Sequence, residues 1–423
     1  MTGVFFGWRI VAGAFLIYFV SGGLFSTATV FFKALDSEFG WGRGALSGAF
    51  SLGFIVAGVS APLWGRIADR RGPRSSFLPG ALITGALCLL LSQVSSLGSL
   101  YVLYAVLTFG SAGISLIPIS VVLSNWFVEM RGRAIGIAYS GVGFGGLVFT
   151  PVIAFVVERL GWRAAYALAG LAVIALVTPV ALWIRNRPED LGLHPDGREP
   201  TRPNRVSGDA DPPVNAAGDV LGVRGAVRTS AFRLVAFTWM VAMMPLAAVG
   251  LHQVAFLTDI GLPTESAALA AGAVGGMSIL GRIGFGVLAE RFPIRRLYCA
   301  CYGMSGVGIA LLWTTASIGP LSLVPYAACF GIATGGSWAL AALLVGNLFG
   351  DRALGEIFGL LGLAATIGGA VGGTGAGLLF DQTGSYDAVF TVCIALSWIG
   401  ATLILFVRPA PGIGRATVGS AGR

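Results

Sequence analysis

Twelve long apolar runs, parted by short polar loops, limit what this chain can fold into. A run of about 20 such residues crosses the hydrocarbon of a bilayer as a helix. Inside lipid the backbone has no water to bond, so it must satisfy itself within the helix. The runs fall at about 8–35, 44–69, 75–95, 98–125, 132–158 and 162–185, then at 230–258, 265–290, 295–317, 320–348, 353–380 and 386–408. Only 11% of the 423 residues are charged, where a soluble domain carries about twice that share. The fold class expected is therefore an all-α polytopic membrane protein of twelve transmembrane helices. The first run is far longer than the apolar region of a signal peptide and should remain as the first membrane helix.

Between the sixth and seventh runs lies RPEDLGLHPDGREPTRPNRVSGDADPPVNAAGD, rich in Pro, Gly, Asp and Arg. It is too polar to bury and predicts a mobile linker. The organisation expected is a six-helix bundle over 1–185, a linker over 186–228, a second bundle over 229–408 and a disordered Gly-rich tail over 409–423.

The net charge of +8 does not indicate a nucleic-acid partner, because the basic residues sit in short loops between apolar runs. Placing both termini and the linker on one side leaves four basic residues opposite (Lys33, Arg43, Arg159, Arg163) against seven acidic ones. The excess of arginine marks the linker side as cytoplasmic, so a cell (inner) membrane with both termini inside is expected. Lysine occurs once, at Lys33. The five cysteines fall in apolar segments, and none has a histidine at metal-ligand spacing, so neither a metal nor a cofactor is expected. The absence of a phosphate-cradling Gly loop argues against an ATP-driven pump or any enzyme of that kind.

The halves repeat. Gly65-Arg66-Ile67-Ala68-Asp69-Arg70 after the second run is echoed by Gly286-Val287-Leu288-Ala289-Glu290-Arg291 after the eighth. Asn125-Trp126-Phe127 is echoed by Asn347-Leu348-Phe349, and Trp162-Arg163-Ala164-Ala165-Tyr166 by Tyr386-Asp387-Ala388-Val389-Phe390. A parallel duplication of six helices with a site between the halves is the architecture of a rocking transporter.

One residue stands out against this background. Arg282 lies inside AALAAGAVGGMSILGRIGFGVLAE, with about two helical turns between it and Glu290. A guanidinium does not lose its proton in proteins, so it must face water, an anion or a partner, or else reach back to the headgroups on the linker side. By default an intramembrane charge marks a transport path.

Gly65 through Arg74 resembles the loop motif between the second and third helices of the major facilitator superfamily. That resemblance implies a gate in which Asp69 pairs with arginines of a neighbouring helix, with Arg131 and Arg133 at the start of the fifth span as candidates. Within that superfamily the chain looks like the monocarboxylate transporter family, with its oxalate/formate exchanger relatives. The residues that carry this are Gly7-Trp8-Arg9-Ile10-Val11, Thr29-Val30-Phe31-Phe32-Lys33, Asn125-Trp126-Phe127 with Arg131-Gly132-Arg133-Ala134-Ile135-Gly136, and the surroundings of Arg282.

The resemblance implies that Arg282 binds the substrate carboxylate, but the charged companions seen in animal members are missing. Their lysine of the first span falls on Ser26, and their aspartate one turn before the arginine falls on Ser278. The second basic residue of the oxalate exchanger, in the eleventh helix, has no counterpart between Ala353 and Phe380. One fixed positive charge matches one carboxylate. If that anion neutralises Arg282, the proton needs its own carrier. His252 and Asp259 share a face of the seventh span and are the candidates. An aspartate at the end of the seventh span is a feature of bacterial members of the family. Hairpin geometry keeps Asp259 and Arg282 roughly 20–25 Å apart, so no direct pair is expected. Ser26, Ser115, Tyr139, Ser337 and Trp338 are candidates for the rest of the cavity wall, each equally readable as packing. The Gly-rich stretches 136–146 and 359–377 serve close helix contact and bending. The expected partners are a small monocarboxylate anion of the lactate or pyruvate kind, a proton and the lipid bilayer. The expected protein is a monomer that works by alternating access, with an anion exchanger of the oxalate/formate type as the alternative.

Overall fold

A computed structural model describes residues 5–41, 43–198, 222–351 and 353–407. Among the described residues eleven helices are long and apolar enough to cross a membrane. They are Phe6–Phe39, Gly48–Arg71, Arg74–Leu91, Leu97–Trp126, Arg131–Trp183, Ser230–Asp259, Ser266–Leu288, Ile294–Ile318, Pro320–Phe349, Leu354–Thr383 and Asp387–Phe406. The fifth, at 53 residues, is about 80 Å long at 1.5 Å per residue, far beyond one bilayer crossing. Gly161 breaks it with φ 83° and ψ 162°, a backbone conformation that glycine adopts without a Cβ penalty, and the chain turns back there. Counting 131–160 and 162–183 separately gives twelve spans, numbered one to twelve below. No span end differs from its sequence expectation by more than four residues.

Three spans are interrupted, span nine at Thr314 between Trp313 and Thr315. Span one breaks at Thr27, whose hydroxyl donates to the Leu24 carbonyl at 2.7 Å. Span four breaks between Ala112 and Leu116. Prolines at 62, 79, 151, 179 and 245 lie inside helices. That is tolerated in membranes, where neighbouring helices and side chains take up the freed backbone groups.

The packing follows the duplication. In the first half span one packs on five, two on four, and three on four and six; in the second, seven packs on eleven, eight on ten, and nine on ten and twelve. The halves meet through spans two with eleven and five with eight, which are repeat equivalents of each other. Glycines permit the close approach. A Cβ on Gly65 would run into the Gly355 carbonyl, and one on Gly132 into the carbonyl of Gly286.

The apolar core shows how the halves are joined. On the linker side one continuous cluster takes in residues of both, from Ile10, Trp126 and Ala134 to Phe285, Leu340 and Leu354. At the other end the core divides. Phe31, Leu91, Ile153 and Tyr166 form one cluster in the first half, and Val249, Phe256, Phe330 and Phe390 form another in the second. The two halves are sealed together at the linker side and separate at the opposite side.

The linker differs from the expectation of a mobile segment at both of its ends. Residues 184–198 lie folded against the first half, and Val223–Arg228 forms a short helix. Polar residues can settle there because side chains and a backbone amide of the spans bond them. The Trp126 indole donates to the Arg185 carbonyl at 3.0 Å, and Asn125 Nδ2 donates to the Asn186 carbonyl at 3.1 Å. The Arg74 amide donates to Asn186 Oδ1 at 3.0 Å. The stretch 199–221 and the tail 409–423 lie outside the described residues.

Candidate functional site between the halves

Span eight begins on the side opposite the linker and ends on the linker side. Helical side chains lean toward the helix N-terminus, so Arg282 leans away from the linker. Its Nη1 donates to Ser278 Oγ at 2.7 Å, one turn toward the membrane middle. This decides between the two readings of Arg282: the guanidinium does not reach back to the headgroups. It sits half-buried between the halves, and no carboxylate pairs with it among the described residues. Span five faces it, since a Cβ on Gly143 would stand 3.6 Å from Arg282 Nη1. The contact between spans five and eight runs from Gly132 with Gly286 up to Gly143 with Ile279. Beyond that level a Cβ at Gly272, Gly275 or Gly276 would meet no atom within 4 Å. The gap therefore widens away from the linker, and Arg282 lies near its floor.

Tyr18 of span one lies within electrostatic reach of Arg282. Its ring packs on Tyr139 with centroids 5.6 Å apart. Tyr139 is fully buried, its hydroxyl shared with Ser120 and the Leu116 carbonyl, so it backs Tyr18 instead of lining the gap. Ser26 donates to the Gly22 carbonyl at 2.9 Å, and Ser115 to the Ala112 carbonyl at 2.7 Å beside the break in span four. Ser337 is buried, and its hydroxyl is satisfied by the Thr334 carbonyl at 2.9 Å. Trp338 is half-buried, and its indole has no hydrogen-bond partner among the described residues. The structure thus puts Ser278 against the guanidinium, with Tyr18 farther off but within electrostatic reach. Tyr18 was missed from sequence, although it is a polar side chain in the middle of span one.

The linker side is closed by carboxylates set on helix starts. Asp69, at the end of span two, accepts from the backbone amides of Gly355 and Glu356 at the start of span eleven, both at 2.9 Å. Glu290, its repeat equivalent after span eight, accepts from the amide of Arg133 at 3.0 Å and pairs with the Arg133 side chain at 2.7 Å. Each carboxylate meets the positive end of a helix from the other half. Arg131 bridges further. It donates to the Phe127 and Ser124 carbonyls at 3.0 and 3.1 Å and grips both oxygens of Asp351 across the interface, at 3.0 and 2.7 Å. Arg66 stands 3.8 Å from Glu356. The sequence expectation that Asp69 pairs with Arg131 and Arg133 is corrected here. Asp69 caps a helix, and the two arginines hold Asp351 and Glu290. The free amides of the first helical turn are the nearer and better-aimed donors.

The proton candidates lie apart, at the opposite side. His252 Nε2 stands 3.2 Å from the Gly373 carbonyl and Nδ1 stands 3.2 Å from the Tyr386 hydroxyl. A carbonyl only accepts, so Nε2 carries a proton and donates to Gly373, while Nδ1 bonds the Tyr386 hydroxyl. Burial, then the nearby carboxylates of Asp259 and Asp381, push the Tyr386 phenol up, which keeps it a donor. Asp259 is exposed. Tyr386 thus bonds His252 and lies within electrostatic reach of Asp259, and the two candidates do not touch each other directly. No group of three or more metal-ligating side chains gathers among the described residues.

Comparison with known proteins fits this arrangement. The family description "Major Facilitator Superfamily" matches residues 14–327 and 246–421. Monocarboxylate transporter 13 of Bos taurus is 26% identical over 406 residues, covering 94% of this chain and 88% of that protein. Monocarboxylate transporter 12 of Rattus norvegicus is 25% identical over 429 residues, covering 97% and 87%. Among solved structures, that of the E. coli fucose:proton symporter FucP superposes with a TM-score of 0.67 at 14% identity, over 95% of this chain and 98% of that one. A second FucP structure, in the outward conformation, gives 0.67 at 16% identity over 94% and 98%. Folded as two six-helix halves and matched by that family over most of its length, the chain is a membrane transporter, not an enzyme, and belongs to the major facilitator superfamily.

Proposed function

We propose that the protein carries small monocarboxylates of the lactate or pyruvate kind across the cell (inner) membrane, with a proton, by alternating access, with its linker and termini in the cytoplasm. One observation carries the reading. Arg282 is a fixed cation at the floor of a gap between the halves, held by a neutral serine and paired with no carboxylate among the described residues. A substrate carboxylate supplies the missing charge and can take two parallel donors from the guanidinium. Polar side chains of the gap, Tyr18 among them, would read a hydroxyl or keto group beside that carboxylate. The relatives named as monocarboxylate transporters support the same class.

Selectivity follows from the charge count. In proteoliposomes, C2–C4 monocarboxylates should compete for uptake of labelled lactate at least about tenfold better than dicarboxylates of equal length, because a second anionic carboxylate would be desolvated without a partner. Oxalate or succinate outcompeting lactate, together with stimulation by internal anion, would move the protein to the exchanger reading.

Coupling is assigned to the His252, Tyr386 and Asp259 group at the outer end of spans seven and twelve. An acid exterior should drive uptake. Asp259→Asn should flatten that dependence, and His252→Ala should weaken it, with lactate binding at Arg282 retained. Unaltered pH-driven accumulation in the double variant would remove these residues from the proton path.

A further inference from the structure

The linker strap ends in a carboxylate that nothing in the transport cycle described so far uses. Asp196 is 8% exposed, and its oxygens accept from three consecutive backbone amides of the loop between spans four and five: Val128 at 3.0 Å, Glu129 at 2.8 Å and Met130 at 3.3 Å. Among the described residues it is the one non-glycine with positive φ, at 57°. The turn is built to hold it: Pro195 precedes it, and the Gly197 amide closes on the His194 carbonyl at 3.0 Å. A buried carboxylate in a left-handed backbone is a strained arrangement that persists only where its surroundings fix it. Glu129 is also engaged from the strap, by Arg198.

These three amides immediately precede Arg131, the residue that grips Asp351 across the interface while holding the Ser124 and Phe127 carbonyls of span four. Two carboxylates therefore accept from backbone amides around the start of span five, Asp196 and Glu290. Glu290 comes from the other half and must leave when the linker side opens. Asp196 comes from the same half and has no reason to leave. We propose that Asp196 is a positioning residue of the linker-side gate: it fixes the 128–130 turn so that Arg131 reaches Asp351 and Arg133 presents its amide to Glu290. The strap then sets how readily the transporter closes toward the linker, and it does so for any solute carried.

The test uses the full chain with its five cysteines replaced and nitroxides attached through Arg71→Cys and Arg291→Cys, on the linker-side ends of spans two and eight. Spin-echo distance distributions report the closed and open fractions. Asp196→Asn keeps the turn, since asparagine also tolerates this backbone, but replaces one acceptor oxygen by an amide donor. Asp196→Gly keeps the turn and removes the acceptor altogether. Both should shift the closed-to-open ratio toward open, Gly the more, by about fivefold or greater, the usual lower range of a coupling between sites. A purely structural role would lower the melting temperature of both variants and leave the distribution as in the parent. Parental distributions in either folded variant would overturn the proposal.

Discussion

Arg282→Ala should abolish carboxylate uptake while leaving the protein folded and in the membrane. Removing one partner of a desolvated charge pair costs about 3 kcal/mol, which is more than a hundredfold in rate or affinity. Folding should survive, because among the described residues the arginine's one side-chain bond is to Ser278, and losing it strands no buried charge. Arg282→Lys should fail nearly as badly. It keeps the charge but not the planar fork that matches a carboxylate. Uptake of labelled lactate or pyruvate into proteoliposomes, normalised to inserted protein, measures both. Parental uptake by a well-inserted Arg282→Ala protein would refute the carboxylate site.

Gly132→Leu should stop transport for a different reason. Its side chain would collide with the Gly286 carbonyl only while the linker side is closed. Overpacking of this kind costs about 1–3 kcal/mol. The states of a transporter differ by only a few kcal/mol, so the penalty suffices to hold the protein open toward the linker. Folding should persist because the halves can part. Net uptake should fall about tenfold or more. Substrate binding measured on detergent-solubilised protein should remain. The same contact seen from its other side predicts the same of Gly286→Leu, which would meet the Gly132 carbonyl. Closed-state distances and normal uptake in both variants would show that the contact yields.

Much of this was legible in the sequence, and the exceptions have physical causes. The spans could be placed because a bilayer sets both length and polarity, leaving few residues ambiguous at each end. Arg282 could be singled out because a charge in hydrocarbon is costly and leaves few readings besides a transport site or a reach back to the headgroups. Asp69 was visible as a gate element, but its partner was not, since sequence shows side chains and the donors are backbone amides at a helix start. The repeat held a clue to the rest. Glu290 stands where Asp69 stands, and Asp351 follows Asn347 as Glu129 follows Asn125, so the second half already spelled out its share of the gate. Tyr18 escaped notice because one tyrosine in an apolar helix looks like packing until its neighbour is known. Asp196 escaped because composition judges a whole segment, and a polar stretch was read as uniformly solvated when part of it is anchored.

The turn at Gly161 has a mechanical consequence. Spans five and six are joined with almost no intervening loop, so neither can slide or rotate far without dragging the other. Span six is packed on span three, and span five on span one. Force applied to span five, whether by Gly132 meeting Gly286 or by Arg131 pulling on Asp351, is passed into four helices at once. The first half accordingly behaves as a stiff lever, and the compliance of the machine resides at the interface between the two halves.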